Sequence, residues 1–338
     1  MPIPSICILP ALSGLGGPSS FRGRLARGLE KRGFVVHTRP DDPTTAAILV
    51  IGAPRSLIPT LLQARRRGVR VVQRLNGMNW IHRIRPLGLR YTLRAESNNL
   101  SLAFVRRWVA ERVVYQSRFT HEWWDREYGL LKKPQRDIYN GVDLNEFSPG
   151  SAAPPTGHLR LLLVEAHFAG GFEQGLINAA HLLDRLHGSL PVPVELVAAG
   201  EISPEVRRLV ESPQRRITFA GKVPAAEIPA LDRSAHMLFS TDLNASCPNS
   251  VLEALACGLP VISYATGALP ELVAQGGVIV PYGGNPWKLD VPDVDGLAKA
   301  ALDVFQNQEK YRPAARRRAE ELFGLDGMVE RYLDILIG

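Results

Sequence analysis

Short β-branched runs alternate with amphipathic helical stretches along this chain, and the alternation halts once and starts again. Strand-like runs fall at residues 5–12, 34–38, 47–52, 69–74, 113–116 and 137–139. Helical stretches lie between them, at 21–32, 57–67, about 87–112 and 120–128. This order predicts a mostly parallel sheet with helices on both faces, because parallel strands need long crossover connections. The halt comes at 148–157, Ser-Pro-Gly-Ser-Ala-Ala-Pro-Pro-Thr-Gly, which has the composition of a linker. The alternation resumes at 159 and runs to a last helix at 328–337. The expected fold class is therefore α/β with two domains, a number that 338 residues fit at about 150 per domain. The expected boundaries are 1–148, a linker 149–157, a second domain 158–322 and a closing helical segment 323–338. Two such domains on one hinge predict a cleft between the carboxyl ends of their sheets.

Apolar residues at 45% and charged residues at 22% are ordinary for soluble protein, and no apolar run approaches the ~18 residues of a membrane span. The first residues are apolar without a charged leader, which reads as a strand rather than a signal peptide and predicts a cytoplasmic protein. Cys7, Cys247 and Cys257 lie in apolar segments without metal-ligand spacing, so reduced structural thiols are expected.

The net charge of +7 hides an asymmetry. Residues 1–150 carry 24 Lys and Arg against 11 Asp and Glu, net +13, while the remainder carries 16 against 22, net −6. The first half is therefore expected to meet something anionic. Its densest parts are Arg65, Arg66, Arg67 and Arg70, and the run from Trp80 through Arg83, Arg85, Arg90 and Arg94. A solvated face is one reading. The other is peripheral contact with an anionic inner membrane face, which Trp80, Ile81 and Tyr91 among the arginines fit. No nucleic-acid module stands behind the charge.

Residues 247–262 run from a loop through a short helix into a buried strand. Pro248 suits the helix opening and Gly258 its end. The N–H groups of Asn249, Ser250 and Val251 would then form an anion site. Glu253 is a lone carboxylate among Val251, Leu252, Leu255 and Ala256. It either complements the helix dipole or holds a ligand hydroxyl.

These residues resemble the group 1 family of retaining, nucleotide-sugar-dependent glycosyltransferases with the GT-B fold. Ser13-Gly14-Leu15-Gly16-Gly17 resembles that family's first glycine loop, and Tyr139-Asn140-Gly141-Val142-Asp143 with Phe147 and Pro149 its pre-linker signature. Thr218-Phe219-Ala220-Gly221-Lys222-Val223 resembles the strand and turn beside the nucleotide base. The 247–262 segment with Gly267-Ala268-Leu269-Pro270-Glu271-Leu272 resembles the donor-site core. The resemblance covers nearly the whole chain. It implies two Rossmann-like α/β/α domains facing each other across a cleft, with the last helix returning to the first domain. It also implies a donor held mainly by the second domain, an acceptor (glycan, lipid-linked or another hydroxyl) met by the first, and no metal or other cofactor.

Three positions depart from the family pattern. Ala245 stands where the first of two glutamates is expected, Glu253 being the second. Ala166 and Gly171 stand where an Arg and a Lys neutralise the departing diphosphate in the family. The candidate substitutes are the backbone of His167-Phe168-Ala169-Gly170-Gly171, the His167 side chain, and the cations Lys222, Arg74 and Arg118, expected on turns. Asp242 and Asn244 are candidates for the hydroxyl-binding role of the absent glutamate. Gly16, Gly17 and Gly221 are candidates for close backbone approach to the donor, and Glu253 is implied at the donor ribose. The run Gly14 to Ser19 also approaches a dinucleotide fingerprint, with Asp41 and Asp42 at the spacing of its acid, but Ser19 replaces the third glycine. The expected function is sugar transfer to an acceptor hydroxyl. The alternative is a non-catalytic GT-B protein that binds a nucleotide sugar or glycan as a regulator or partner subunit.

Overall fold

The computed structural model describes residues 5–12, 16–150, 153–169 and 173–338. Elements follow in the order β1 (Ser5–Leu9), α1 (Gly17–Glu30), β2 (Val35–His37), β3 (Thr45–Ile51), α2 (Ile58–Arg66), β4 (Arg70–Leu75), α3 (Leu89–Phe104), β5 (Arg112–Tyr115), α4 (Arg118–Tyr128) and β6 (Gln135–Asp137). Next come β7 (Leu159–His167), α5 (Glu173–Leu186), β8 (Val194–Glu201), α6 (Pro204–Val210), β9 (Arg216–Gly221), α7 (Ile228–Arg233) and β10 (Met237–Ser240). Then follow α8 (Asn249–Ala256), β11 (Val261–Tyr264), α9 (Leu269–Val273), β12 (Gly277–Val280), α10 (Val294–Gln306), α11 (Gln308–Leu322) and α12 (Leu325–Ile337). They divide into two units, residues 1–141 with 325–338, and residues 142–324. The proline-rich stretch around 149 falls inside the second unit, where Pro149 lies beside Gly258 and Gly150 beside Arg233.

In the first unit the parallel sheet runs β2-β1-β3-β4-β5-β6. β1 is buried along its whole length and β3 nearly so, because helices cover both faces; hence their unbroken apolar sequences. α12 belongs to this unit: Val329, Tyr332, Ile335 and Leu336 share one core with Phe21, Leu25 and Leu29 of α1. Arg32 ties the same two helices together through Asp326 at 3.0 Å and Glu330 at 2.6 Å.

Much of the basic excess of this unit serves backbone carbonyls. Arg70 donates to the carbonyls of Leu336 at 2.9 Å and Gly338 at 3.1 Å, and Arg112 to those of Ile335 at 3.1 Å and Gly338 at 3.0 Å. These cations meet the negative end of α12, where unsatisfied carbonyls and the helix dipole favour positive charge. Arg65 holds the Trp108 carbonyl at 2.7 Å and Arg67 that of Asp41 at 3.1 Å. Three members of the 65–70 cluster thus act as internal clamps. The helix expected over 87–112 is shorter: after Phe104 the chain widens into one π turn, Val105–Val109, and Ala110 is extended. Lys133 closes that end, donating to the carbonyls of Arg106, Arg107 and Ala110.

The second sheet is also parallel, in the order β12-β11-β10-β7-β8-β9. Counted within the unit and read from β9, this is 3-2-1-4-5-6, the order of a Rossmann sheet, with its switch point between β7 and β10. Leu161, Leu163, Ala198, Phe239 and Ile262 carry its core beneath α5 and α10. α11 leaves little trace in the sequence: it is highly charged, contains Pro313, and buries mainly Tyr311, Ala315 and Ala319, which make no conspicuous apolar stripe. Its Arg316 holds the carbonyls of Ala256 at 2.7 Å and Phe147 at 2.9 Å.

Candidate functional site

Ligands of open parallel sheets sit beyond the carboxyl ends of the strands at the switch point. In the second unit that place is bounded by the end of β7 and the loop after β10. β7 ends at Glu165, Ala166 and His167, with His167 in register opposite Glu201 of β8. The loop after β10 contains Asp242 and Asn244 and leads into α8. Asn244 adopts φ 54°, and its backbone N–H reaches the Thr266 hydroxyl at 3.5 Å. The next turn clamps this loop: Ala268 donates to the Ala245 carbonyl at 2.8 Å. A β-carbon on Gly267, at φ +58°, would stand 2.5 Å from the Ala245 backbone, so only glycine fits there. Gly175, in the first turn of α5, lies directly against the Thr241 side chain, which brings that helix's amino end to the same edge.

α8 starts as its sequence suggests. Pro248 is the extended residue before the helix, and Gly258 (φ 70°) follows Cys257 at its end. The N–H groups of Asn249, Ser250 and Val251 precede the first intrahelical bond, Leu252 N–H to the Pro248 carbonyl at 3.4 Å. Glu253 is 9% exposed. Its charge falls on Asp232 of α7 and on the Cys257 thiol. Burial, and then that charge, push the Asp232 carboxyl well above the usual carboxylate range, and burial raises the thiol as well. Asp232 is 1% exposed, and its Oδ2 has no hydrogen-bond partner among the described residues.

The switch point itself is acidic. Burial lifts the carboxyls of Glu165 and Asp242 above their ordinary range, Asp242 to about 6, and the charge of Asp242 lifts Glu165 further. Solvent still reaches part of both side chains, which tempers these shifts. A short way along the same edge, Lys222 follows β9 and pairs with Glu201 at 2.7 Å, both half exposed.

Residues 167–307, all within this second unit, match the sequence profile of the family described as Glycosyl transferases group 1. The second unit carries the sequence pattern of the group 1 glycosyltransferases. The chain is 26% identical over 171 residues to 2-deoxystreptamine N-acetyl-D-glucosaminyltransferase of Streptomyces fradiae, a stretch covering 48% of this chain and 38% of that relative's length. Among solved structures it resembles sucrose-phosphate synthase from Thermosynechococcus elongatus, with TM-score 0.77, 17% identity and 98% of each chain covered. It also resembles Anabaena Alr3699/HepE, solved with UDP and glucose, with TM-score 0.72, 14% identity, and 98% of this chain and 99% of that one covered. The two Rossmann-like sheets are those of the GT-B fold.

Against the family pattern, Ala166 lies exposed at the end of β7 and Ala245 is buried under Gly267. Gly170 and Gly171 lie outside the described residues, as do Ser13 and Gly14. Of the four candidate catalytic residues, His167 and Lys222 stand at the carboxyl edge of the second sheet. Arg74 does not lie on a turn. It sits in β4, fully buried, donating to Asn140 at 2.8 Å and Asn76 at 3.1 Å, with its guanidinium 3.7 Å from the Phe21 ring centre. Arg118 opens α4 of the first unit and is exposed, 4.0 Å from Glu122. In that unit Gly16 precedes α1 and Gly17 begins it, with nothing within 4 Å of a β-carbon built on Gly17. Gly221 is equally open, at φ +66°. Asn140 and Gly141 of the pre-linker signature do structural work: Asn140 binds Arg74, and Gly141 accepts from Arg24 at 3.1 Å.

Glu165, Glu201 and Asp232 escaped the sequence reading. Glu165 left one signal, an acid closing the apolar run Leu-Leu-Leu-Val where a parallel strand presents its end. Asp232 left none, being an acid on a short helix like many surface acids.

Proposed function

We propose that this chain transfers a sugar from a nucleoside diphosphate sugar to an acceptor hydroxyl, with retention of configuration and without a metal. The observation that carries the reading is the Rossmann-order switch point of the second unit, where the amino end of α5 and the loop into α8 meet within the segment matching the family. In this reading the first N–H groups of α8 bind donor oxygens, as helix N-termini bind anions. Glu253 accepts from the donor ribose hydroxyls. Asp242 and Asn244 take the sugar hydroxyls in place of the glutamate that Ala245 lacks. Lys222 supplies the positive charge that Ala166 does not, and the His167 imidazole a hydrogen bond beside it.

The bond from the anomeric carbon to the diphosphate oxygen breaks, and a new bond forms from that carbon to the acceptor oxygen. The acceptor proton passes to the departing phosphate, so no enzyme base is required. The acceptor is met by the first unit, and the reaction runs at the cytoplasmic side, with the basic unit against an anionic membrane face. No helix among the described residues is long and apolar enough to cross a membrane.

A second reading is favoured by the Glu165–Asp242 pair, which puts carboxyls where a diphosphate needs cations: a GT-B protein that binds a nucleotide sugar or glycan without transferring it. Incubation with UDP-, GDP- and ADP-sugars and pooled hydroxyl acceptors separates the two. Nucleoside diphosphate release that depends on acceptor, with a product whose anomeric proton coupling matches the donor's, supports transfer. Tight nucleotide-sugar binding without release supports the second reading.

A further inference from the structure

We propose that the outward face of α3 is the surface by which the first unit lies on an anionic bilayer. Leu89, Leu93, Leu100 and Phe104 follow one another at spacings of four, seven and four residues. At about 100° per residue they fall within roughly 60° of arc, a single row along the helix. The row is exposed: Leu89 at 75%, Leu93 at 62%, Leu100 at 61% and Phe104 at 43%, with Trp108 of the following π turn at 63%. Ala95, Asn99, Ser101 and Leu102 take the buried side, so the core needs none of the row. A helix with apolar residues on its solvent side has exchanged the usual polarity of a surface helix.

Charge selects the occupant. Arg90 and Arg94 are exposed on α3 along one flank of the row, and Arg107 lies over the Trp108 ring at 5.7 Å. Glu96, the acid of this helix, is paired with Arg83 at 2.7 Å and shares a hydrogen bond with His82 at 2.8 Å. Leucines and aromatics beside exposed arginines, with the only helix acid already paired, match an interface helix on anionic lipid. The arginines at 65, 67 and 70 are engaged with carbonyls inside their own unit, as is Arg107 with that of Leu130 at 3.0 Å, so Arg90 and Arg94 carry the charge of this face.

The inference names the surface behind the membrane contact proposed above and does not depend on the transfer reaction. The test is flotation of the whole chain with vesicles of phosphatidylglycerol and phosphatidylcholine, and of phosphatidylcholine alone. Wild type should partition to the anionic vesicles about tenfold more strongly than to the neutral ones. Leu93→Asp with Leu100→Asp, and separately Arg90→Glu with Arg94→Glu, should each weaken that binding about tenfold or more while the melting temperature stays unchanged. Trp108 emission should shift to the blue with anionic vesicles, and Trp108→Phe should remove the shift. Binding by wild type that both double variants retain would overturn the assignment to α3 and leave the membrane contact standing. Failure of wild type to bind either vesicle would overturn the membrane contact itself. A dimer in solution, broken by Leu93→Asp with Leu100→Asp and blind to vesicles, would make the row a self-association face and overturn the proposal.

Discussion

Burial lifts the carboxyl of Glu165 at the end of β7, and the charge of Asp242, in the loop after the neighbouring strand β10, lifts it further. Both folded values are raised, so the native state favours the protonated forms. The associated stability is present below the ordinary carboxylate range near 4 and is lost as pH rises through about 6, the value for Asp242. Asp242→Asn should therefore stabilise the protein by about 1 kcal/mol at pH 8 and by nothing measurable at pH 4. Urea unfolding at the two pH values measures the gap; an equal gap at both would exclude the pair as its source.

Gly28 of α1 faces Val329 of α12 with no room for a methyl group between them. Gly28→Ala should cost about 1–3 kcal/mol, as overpacking does, and should do so by loosening α12. Limited proteolysis reads this directly: the variant should be clipped near 325–338 under conditions that leave wild type intact.

Arg106 is 1% exposed and donates to the Tyr115 hydroxyl at 2.8 Å, to the Gly129 carbonyl at 2.9 Å and to Asp125. Arg106→Met leaves Asp125 and two further acceptors without their donor. The expected loss is about 3–5 kcal/mol by urea unfolding. Asp125→Asn keeps an oxygen for the guanidinium and should cost less.

The sheets were legible because parallel strands covered on both faces spell unbroken apolar runs, as β1 and β3 do. α8 was legible because Pro248 and Gly258 mark its ends by backbone geometry alone. Pairings between distant segments were not. The charge of Asp242 reaches Glu165 only because β7 and β10 are neighbours, and sequence order does not state strand order. The Arg65–Arg70 cluster suggested an anionic partner because its carbonyl partners come from folding, Arg70's among them 266 and 268 residues away. Arg74, expected on a turn, is a strand residue whose charge is absorbed by Asn76, Asn140 and the Phe21 face. α3 was visible as a basic helix, but which of its faces is turned outward required the packed structure.

Lys222 pairs with Glu201 at 2.7 Å where both remain half exposed, an arrangement that solvent screens to little net stability. Lys222→Met should leave the melting temperature nearly unchanged. If the lysine turns to a bound diphosphate, the same substitution should weaken nucleotide diphosphate binding about tenfold, as loss of a charge-assisted hydrogen bond does. Calorimetry and thermal melting of one variant decide between the surface pair and the ligand contact.

The donor site proposed for the second unit turns on Glu253, buried beside Asp232 with its carboxylate committed either to structure or to a ribose. The measurement is calorimetric titration of wild type and Glu253→Gln with UDP, GDP and ADP and their common sugar conjugates. One nucleotide should bind wild type, and its Kd should rise about tenfold or more in a variant that melts at the wild-type temperature. Binding of equal strength in the variant, or no binding by folded wild type, would contradict the assignment.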